Sequence, residues 1–424
     1  MFKRCRRELL VPSSLALITA LVTSVLASAP GCDTSYQVAG GAGDAASTSN
    51  GGDGAVTCTD PGACSLPTQD GGGGKTDGSM QPIPWPTDFP AHFPGLRPAT
   101  TITSIPSICA IDTTALTYTE CNSGGLSKVT PNFYEVPTNK LVAAFFFDSV
   151  SFSNTTKITG SRGLVIVARG SISISGTLDA SANRSVSGPG ADALAPTAGG
   201  AKPADAGGDD NGGGGAGHGT AGADGAFSAA GTVTTNRGIG GAAYGVAADF
   251  TGGARGGAGN FVTEGTCGDG GGGGGALQIS ALGAIQITGN VLAGGGGGGG
   301  GCVVMAKAHA GGGGGSGGLI YLESRNSITT LGTIAANGGG GGGGAPNNMG
   351  MGSAGQNGGM MTAFGGASSG SGGGGGSGGS NVAPLTPASG LYAGGGGGAA
   401  GKIFFSAPST SNLGTVSPPA SPVM

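Results

Sequence analysis

Beyond residue 140, apolar and polar residues alternate in a short unit that recurs along the chain. One copy places Leu164 and Ile166 on one side of a strand, breaks, and continues as Ile172, Ile174, Gly176, Leu178 and Ala180. The next reads Leu277, Ile279, Ile285, Ile287, Gly289, Val291 and Ala293, each 113 positions later. A third lies 43 further on, with Ile320, Leu322, Ile328, Thr330, Gly332, Ile334 and Ala336. A degenerate fourth holds Ile403, Phe405, Gly414 and Val416, and an earlier one Phe145, Phe147, Val150, Phe152 and Ile158. A period of two predicts strands with one buried face. The glycine at a fixed place predicts a bend where backbones approach closely. One unit cannot bury its apolar face alone. Stacked units share a continuous core, in which each large buried side chain contributes about 1.5–3 kcal/mol. The predicted fold class is all-β, a parallel β-helix-like solenoid.

Glycine runs separate the units. Residues 294–301 are eight consecutive glycines and 338–344 are seven, with shorter runs at 270–275, 311–315, 372–376 and 394–398. They flank the strand units and never interrupt them, so excursions of unequal length explain the unequal spacing. Two states suit such runs. One is disorder, favoured by glycine's backbone entropy. The other is packed extended helices of polyproline-II geometry, three residues per turn, exchanging backbone hydrogen bonds with neighbours.

Composition narrows the function. Of 424 residues, 100 are Gly and 23 Pro, while only 9% are charged and 5% aromatic. No strict G-X-Y period runs through the chain, which excludes collagen, and the large-residue content is too small for an ordinary enzyme core of this length. The net charge of -4 offers no basic surface for nucleic acid.

At the N-terminus, Lys3, Arg4, Arg6 and Arg7 precede an apolar stretch from Leu9 to Ala29 and a small-residue end, Ala27-Ser28-Ala29-Pro30-Gly31-Cys32. This is the layout of a secretory signal, residues 1–31. A retained membrane anchor is the competing reading, weakened because no basic cluster follows. Cleavage fits after Ala29 or before Cys32. Gly31-Cys32 resembles a bacterial lipobox, which implies acylation of Cys32 and a partner membrane held through the lipid. Removing the basic residues leaves a more acidic mature chain. Six further cysteines lie beyond the anchor, as the near pairs Cys58/Cys64 and Cys109/Cys121 and the distant pair Cys267/Cys302. Export makes disulfides the expectation, with connectivity open.

Residues 32–80 carry almost no large apolar side chain and read as a flexible tether behind the lipidated Cys32. Residues 81–140 are Pro-rich and disulfide-containing. A cap over the first solenoid edge is expected there, leaving 141–424 as the glycine-rich β-solenoid.

Catalytic signals are sparse. Glycine abundance empties Gly-motif matches of meaning. G-x-S-x-G occurs around Ser316 and Ser377 but lacks the strand-turn-helix setting of a nucleophile elbow. Asp209, Asp210 and Asp269 lie in glycine loops without the recurrent spacing of calcium-binding nonapeptides. Asp179, Glu323, Arg169 and Arg325 in the strand units do not align as a carboxylate pair would. His92, His218 and His309 are the only histidines, and no CxxC spacing accompanies them, so neither a metal nor a cofactor is expected. Packing is the expected role of Tyr321, Phe364, Tyr392, Phe404 and Phe405, with sugar stacking as the alternative.

The Gly runs, with units such as 170–180 and 327–337, resemble glycine-rich exported bacterial proteins of the PE-PGRS-like type and glycine-rich lipoproteins. The strand units also resemble coils of right-handed parallel β-helices in secreted adhesins of the filamentous-haemagglutinin type. These resemblances imply a right-handed solenoid and no catalytic site. The expected protein is a non-enzymatic structural or adhesive lipoprotein of the cell envelope, at the outer membrane or cell surface. Its expected contacts are extracellular polysaccharide or another cell surface. A polysaccharide-processing β-helix protein, a disordered envelope filler, and an ice- or surface-binding protein are the alternatives. The last needs flat regular ladders.

Overall fold

The fold is described from a computed structural model. It covers residues 107–422 except 122–132, 137–139, 192–198, 204–210, 230–235, 245–249, 260–266, 305–306, 347–349 and 368–371, together with residues 86, 88–90, 93 and 96. Cys32, Cys58, Cys64, the signal and the tether lie outside the described residues. So do His92, Asp209 and Asp210.

The described residues are all-β, without a helix. An entry hairpin pairs β1 (Ile108–Asp112) with β2 (Thr117–Glu120), and β3 (Phe133–Val136) runs antiparallel to β4. Strands then come in threes. The first set is β4 (Lys140–Phe147), β5 (Val150–Phe152) and β6 (Thr155–Thr159). The second is β7 (Gly163–Ala168), β8 (Ile172–Ile174) and β9 (Thr177–Asp179). The third is β10 (Ala276–Ala281), β11 (Ile285–Ile287) and β12 (Asn290–Leu292). A small hairpin, β13 (Val303–Val304) and β14 (Lys307–Ala308), interrupts the chain. Then follow β15 (Leu319–Ser324), β16 (Ser327–Thr330) and β17 (Thr333–Ala335), and finally β18 (Lys402–Ser406), β19 (Ser409–Asn412), β20 (Thr415–Ser417) and β21 (Ser421–Pro422).

Corresponding strands of successive sets pair in parallel, giving three sheets. Their orders are β21-β18-β15-β10-β7-β4-β3, β19-β16-β11-β8-β5 and β2-β1-β6-β9-β12-β17-β20. The architecture is solenoid-like. Register follows the repeat residue for residue: Phe145, Ile166, Ile279, Leu322 and Phe405 form one ladder. Val150, Ile172, Ile285 and Ile328 form another, and Leu178, Val291, Ile334 and Val416 a third. Leu164, Ile174, Leu277, Ile287 and Ile320 complete a single inner core in which every one of these aliphatic residues is fully or nearly fully buried, apart from the partly buried Phe405 and Val416.

The glycine shared by the units has a steric cause. Gly176, Gly289, Gly332 and Gly414 stack, and a Cβ on any of the last three would overlap the carbonyl oxygen of the glycine before it. Those carbonyls instead accept from Asn290, Thr333 and Thr415 N–H at 2.8–2.9 Å. The entry hairpin lies beside β6 and β3 beside β4, so both sheets have their first-set edge covered. From the Pro-rich stretch, Phe89, Phe93 and Leu96 pack on the outer face of the sheet built from β4, β7, β10 and β15, with Val142, Ala144, Phe146, Val165, Val167, Phe250 and Tyr321. An Asp88–Arg325 ion pair at 2.6 Å pins that segment to the end of β15.

Candidate functional site: a hydrogen-bonded glycine array

The excursions leave the strand sets at one corner, after β9, β12 and β17, and return before β10, β15 and β18. They are extended and hydrogen-bonded to one another. Residues 311–318 lie at the centre. Gly311, Gly314 and Gly317 N–H donate to the carbonyls of Ala393, Gly396 and Ala399 at 2.8–3.0 Å. Gly312, Gly315 and Gly318 donate to Gly299, Gly296 and Ala293, and Gly313 and Ser316 to Gly257 and Ala254. Carbonyls of the same segment accept from Gly213 and Ala216, from Gly271 and Gly274, and from Gly339 and Gly342. One segment is thus bonded to six neighbours. Each neighbour is met every third residue, the spacing of a helix with three residues per turn and no internal hydrogen bonds. Residues 338–344 repeat the arrangement, donating to 373–379, to 312–315 and to 353–356.

This geometry requires consecutive glycines. A Cβ on Gly313 would overlap the carbonyl oxygen of Gly214; on Gly314, that of Gly339; on Gly315, that of Gly272. Three successive residues point at three different neighbours, so each of these positions must be glycine; the one side chain within 311–318 is that of Ser316, whose hydroxyl is bonded to the Ala254 backbone. An outer segment needs glycine only where it faces inward. Residues 352–358 read Gly-Ser-Ala-Gly-Gln-Asn-Gly. Gly352, Gly355 and Gly358 N–H donate to Gly301, Gly298 and Gly295 carbonyls at 2.7–2.9 Å. The residues between them carry side chains outward. This three-residue glycine spacing is present in the sequence as G-x-x-G-x-x-G and is the signal that separates the ordered state from disorder.

Two of the histidines are buried in the array. His218 is stacked on Tyr244 at 4.7 Å between ring centroids, and its Nδ1–H donates to the Gly317 carbonyl at 2.6 Å. Burial pushes its pKa down to about 4, against the Gly317 hydrogen bond, which favours the charged form, and with a smaller lowering from Lys402. His218 is therefore neutral in the folded protein at pH 7. His309 is also buried, and its backbone N–H donates to the Cys302 carbonyl.

The other sequence candidates are placed as follows. Cys109 is disulfide-bonded to Cys121 and Cys267 to Cys302, with Cα–Cα distances of 5.0 and 5.8 Å. Ser316 is fully buried, its Oγ accepting from Ala254 N–H at 2.8 Å, so it is an array residue and no exposed nucleophile. Asp269 lines a cavity of about 370 Å³ with Arg184, Cys267 and Met351. Asp179 pairs with Lys157 at 2.8 Å. On the outer face of β10 and β15, Gln278 Nε2 and Ser280 Oγ donate to Glu323 Oε2 at 3.4 and 3.0 Å. Beside them, burial raises the Tyr321 hydroxyl pKa, opposed by a Ser406 hydrogen bond and reinforced by Glu323. This cluster holds one carboxylate, where a glycosidase works with two.

Among the described residues, no group of three His, Cys, Asp or Glu side chains gathers to hold a metal ion, and no helix is long and apolar enough to cross a membrane. Comparison with protein-family models, curated proteins and solved structures finds no match.

Proposed function

We propose that this chain is an exported, lipid-anchored, non-enzymatic structural or adhesive protein of a bacterial cell surface. The strand sets form a right-handed solenoid as its spine. The glycine excursions form a side array of the polyglycine-II kind. The observation that supports the reading is the investment of the molecule in backbone. The centre of the array is bonded in six directions through N–H and C=O groups alone, and most of it carries no side chain with which to do chemistry. Such an array is rigid, sparsely charged and tolerant of few substitutions, properties suited to presenting a surface. The lipid at Cys32 fixes the chain to its membrane, and residues 33–80 hold the solenoid away from it.

The test is metabolic labelling with a fatty acid, followed by antibody labelling of intact cells. The wild type is acylated and surface-labelled. Cys32→Ala loses acylation and is released or retained unprocessed. An unlabelled wild type, or one reached by antibody only after lysis, overturns the reading.

A further inference from the structure

The outermost layer of the glycine array departs from the interior pattern. Residues 372–380 are flanked on one side by 361–367, where Gly375 and Gly378 N–H donate to Gly366 and Ala363 carbonyls at 2.8–2.9 Å. On the other side, Leu385 and Ala388 N–H donate to Ser377 and Gly374 carbonyls at 2.9 and 3.0 Å. Beneath run 338–344 and 392–398, bonded to the same segment. Four neighbours surround it, where an enclosed segment has six. The N–H groups of Gly374 and Ser377, three residues apart, meet no acceptor among the described residues. A Cβ on Gly374 would meet only the Gly366 carbonyl oxygen, at 3.8 Å.

The flanks of this glycine floor carry large exposed apolar side chains, each pair three residues apart. Met361 and Phe364 stand on one side, 76% and 60% exposed, and Val382 and Leu385 on the other, 63% and 58% exposed. The Thr362 and Ser380 hydroxyls, 2.8 Å apart, join one flank to the end of the floor. The sequence has no charged residue between Arg325 and Lys402, so the layer is uncharged throughout.

We propose that this layer is a self-association surface and that its occupant is a second copy of the chain. Large exposed apolar side chains gathered on one layer are the kind of surface that marks an interaction site. The missing acceptors are wanted at a three-residue spacing, which is how extended segments of this chain present carbonyls to one another. A like layer therefore continues the array where it stops, while its apolar side chains cover the exposed flanks. The absence of charge leaves nothing to orient an acidic or basic partner. The glycine floor lets a backbone or a ring approach closely. The proposal concerns the folded array and does not depend on where the protein is located.

The test is sedimentation velocity on the full chain over a hundredfold concentration range, about 1 to 100 μM, the range in which a contact of modest affinity declares itself. The wild type shifts from monomer to larger species across the series. Leu385→Lys places a charge on the flank, and Gly374→Asp places one on the floor at a position with room for it. Each weakens association at least tenfold while retaining the wild-type melting temperature. A wild type that stays monomeric over the whole range overturns the proposal, even if it binds an uncharged polysaccharide. So does association that both variants leave unchanged.

Discussion

Replacing Gly314 by Ala adds one methyl group at the centre of the array. The Gly314 backbone does not lie in the left-handed region, so alanine meets no conformational strain. Its Cβ, however, would overlap the Gly339 carbonyl oxygen. To make room, residues 338–345 must move away from 309–315, stretching the Gly339–Gly315, Gly342–Gly312 and Ala345–His309 hydrogen bonds, now 2.8–3.0 Å. Three bonds at about 1 kcal/mol each set a loss of roughly 3 kcal/mol, in line with the 1–3 kcal/mol typical of overpacking. Lower backbone entropy of the unfolded chain returns about 0.4–1 kcal/mol. The net expectation is a destabilisation of roughly 2–3 kcal/mol. Gly359 supplies the control, since a Cβ there meets nothing within 4 Å. Gly359→Ala should be neutral or stabilising by up to about 1 kcal/mol. Urea unfolding followed by circular dichroism measures both. Equal midpoints for the two variants would refute the claim that the tracts are packed.

Other perturbations test other parts of the account. Ile285 is fully buried among Ile172 and Ile328, so Ile285→Ala should cost about 2–5 kcal/mol, whereas Leu413→Ala, at a side chain 78% exposed, should stay within about 0.5 kcal/mol in the same urea titration. His218 has a folded-state pKa near 4 against an ordinary 6.5. The unfolded chain takes up the proton first, so stability is full above pH 6.5 and falls as pH drops toward 4, by roughly 3 kcal/mol in all. Urea midpoints at pH 7 and 4.5 should diverge for the wild type and much less for His218→Phe; equal divergence would contradict this assignment. Cys267→Ser with Cys302→Ser opens a cross-link spanning 35 residues, and loop entropy sets the loss at about 3–4 kcal/mol. A melting temperature unchanged by that double substitution would show that the excursion is held by its backbone bonds alone.

Much of the spine is legible in the sequence because its signal is local. Alternation at Ile172/Ile174 and Ile285/Ile287 marks strands, and the unit spacing of 113 and 43 is the register in which they pair. The three sheets follow once the units are aligned. The glycine tracts are harder to read, because their order depends on contacts that span distant positions and on no side chain. A run such as 294–301 is equally consistent with a loose loop. The informative segments are the outer ones, where Gly352, Gly355 and Gly358 keep a three-residue spacing that a disordered linker has no reason to keep. The place of Phe89 and Phe93 is not legible either. Their partners Val165 and Val167 lie on the outward face of a strand, β7, that reads as uniformly apolar without alternation, and Phe250 packs there from an excursion. The burial of His218 has the same origin: a Gly/Ala neighbourhood reads as a loop, yet here its small residues admit close-packed backbone. The patch rimmed by Met361, Phe364, Val382 and Leu385 emerges only when 361–367 and 382–388 are seen on either side of 372–380.

The central claim is that the glycine tracts are ordered by mutual backbone bonding, and amide hydrogen exchange tests it most directly. Exchange should be slow across residues 311–318 and 338–344, slowed to the degree seen in β10 and β15, and fast at Gly374. Exchange at unstructured rates throughout 311–318, with the strands protected, would contradict the account.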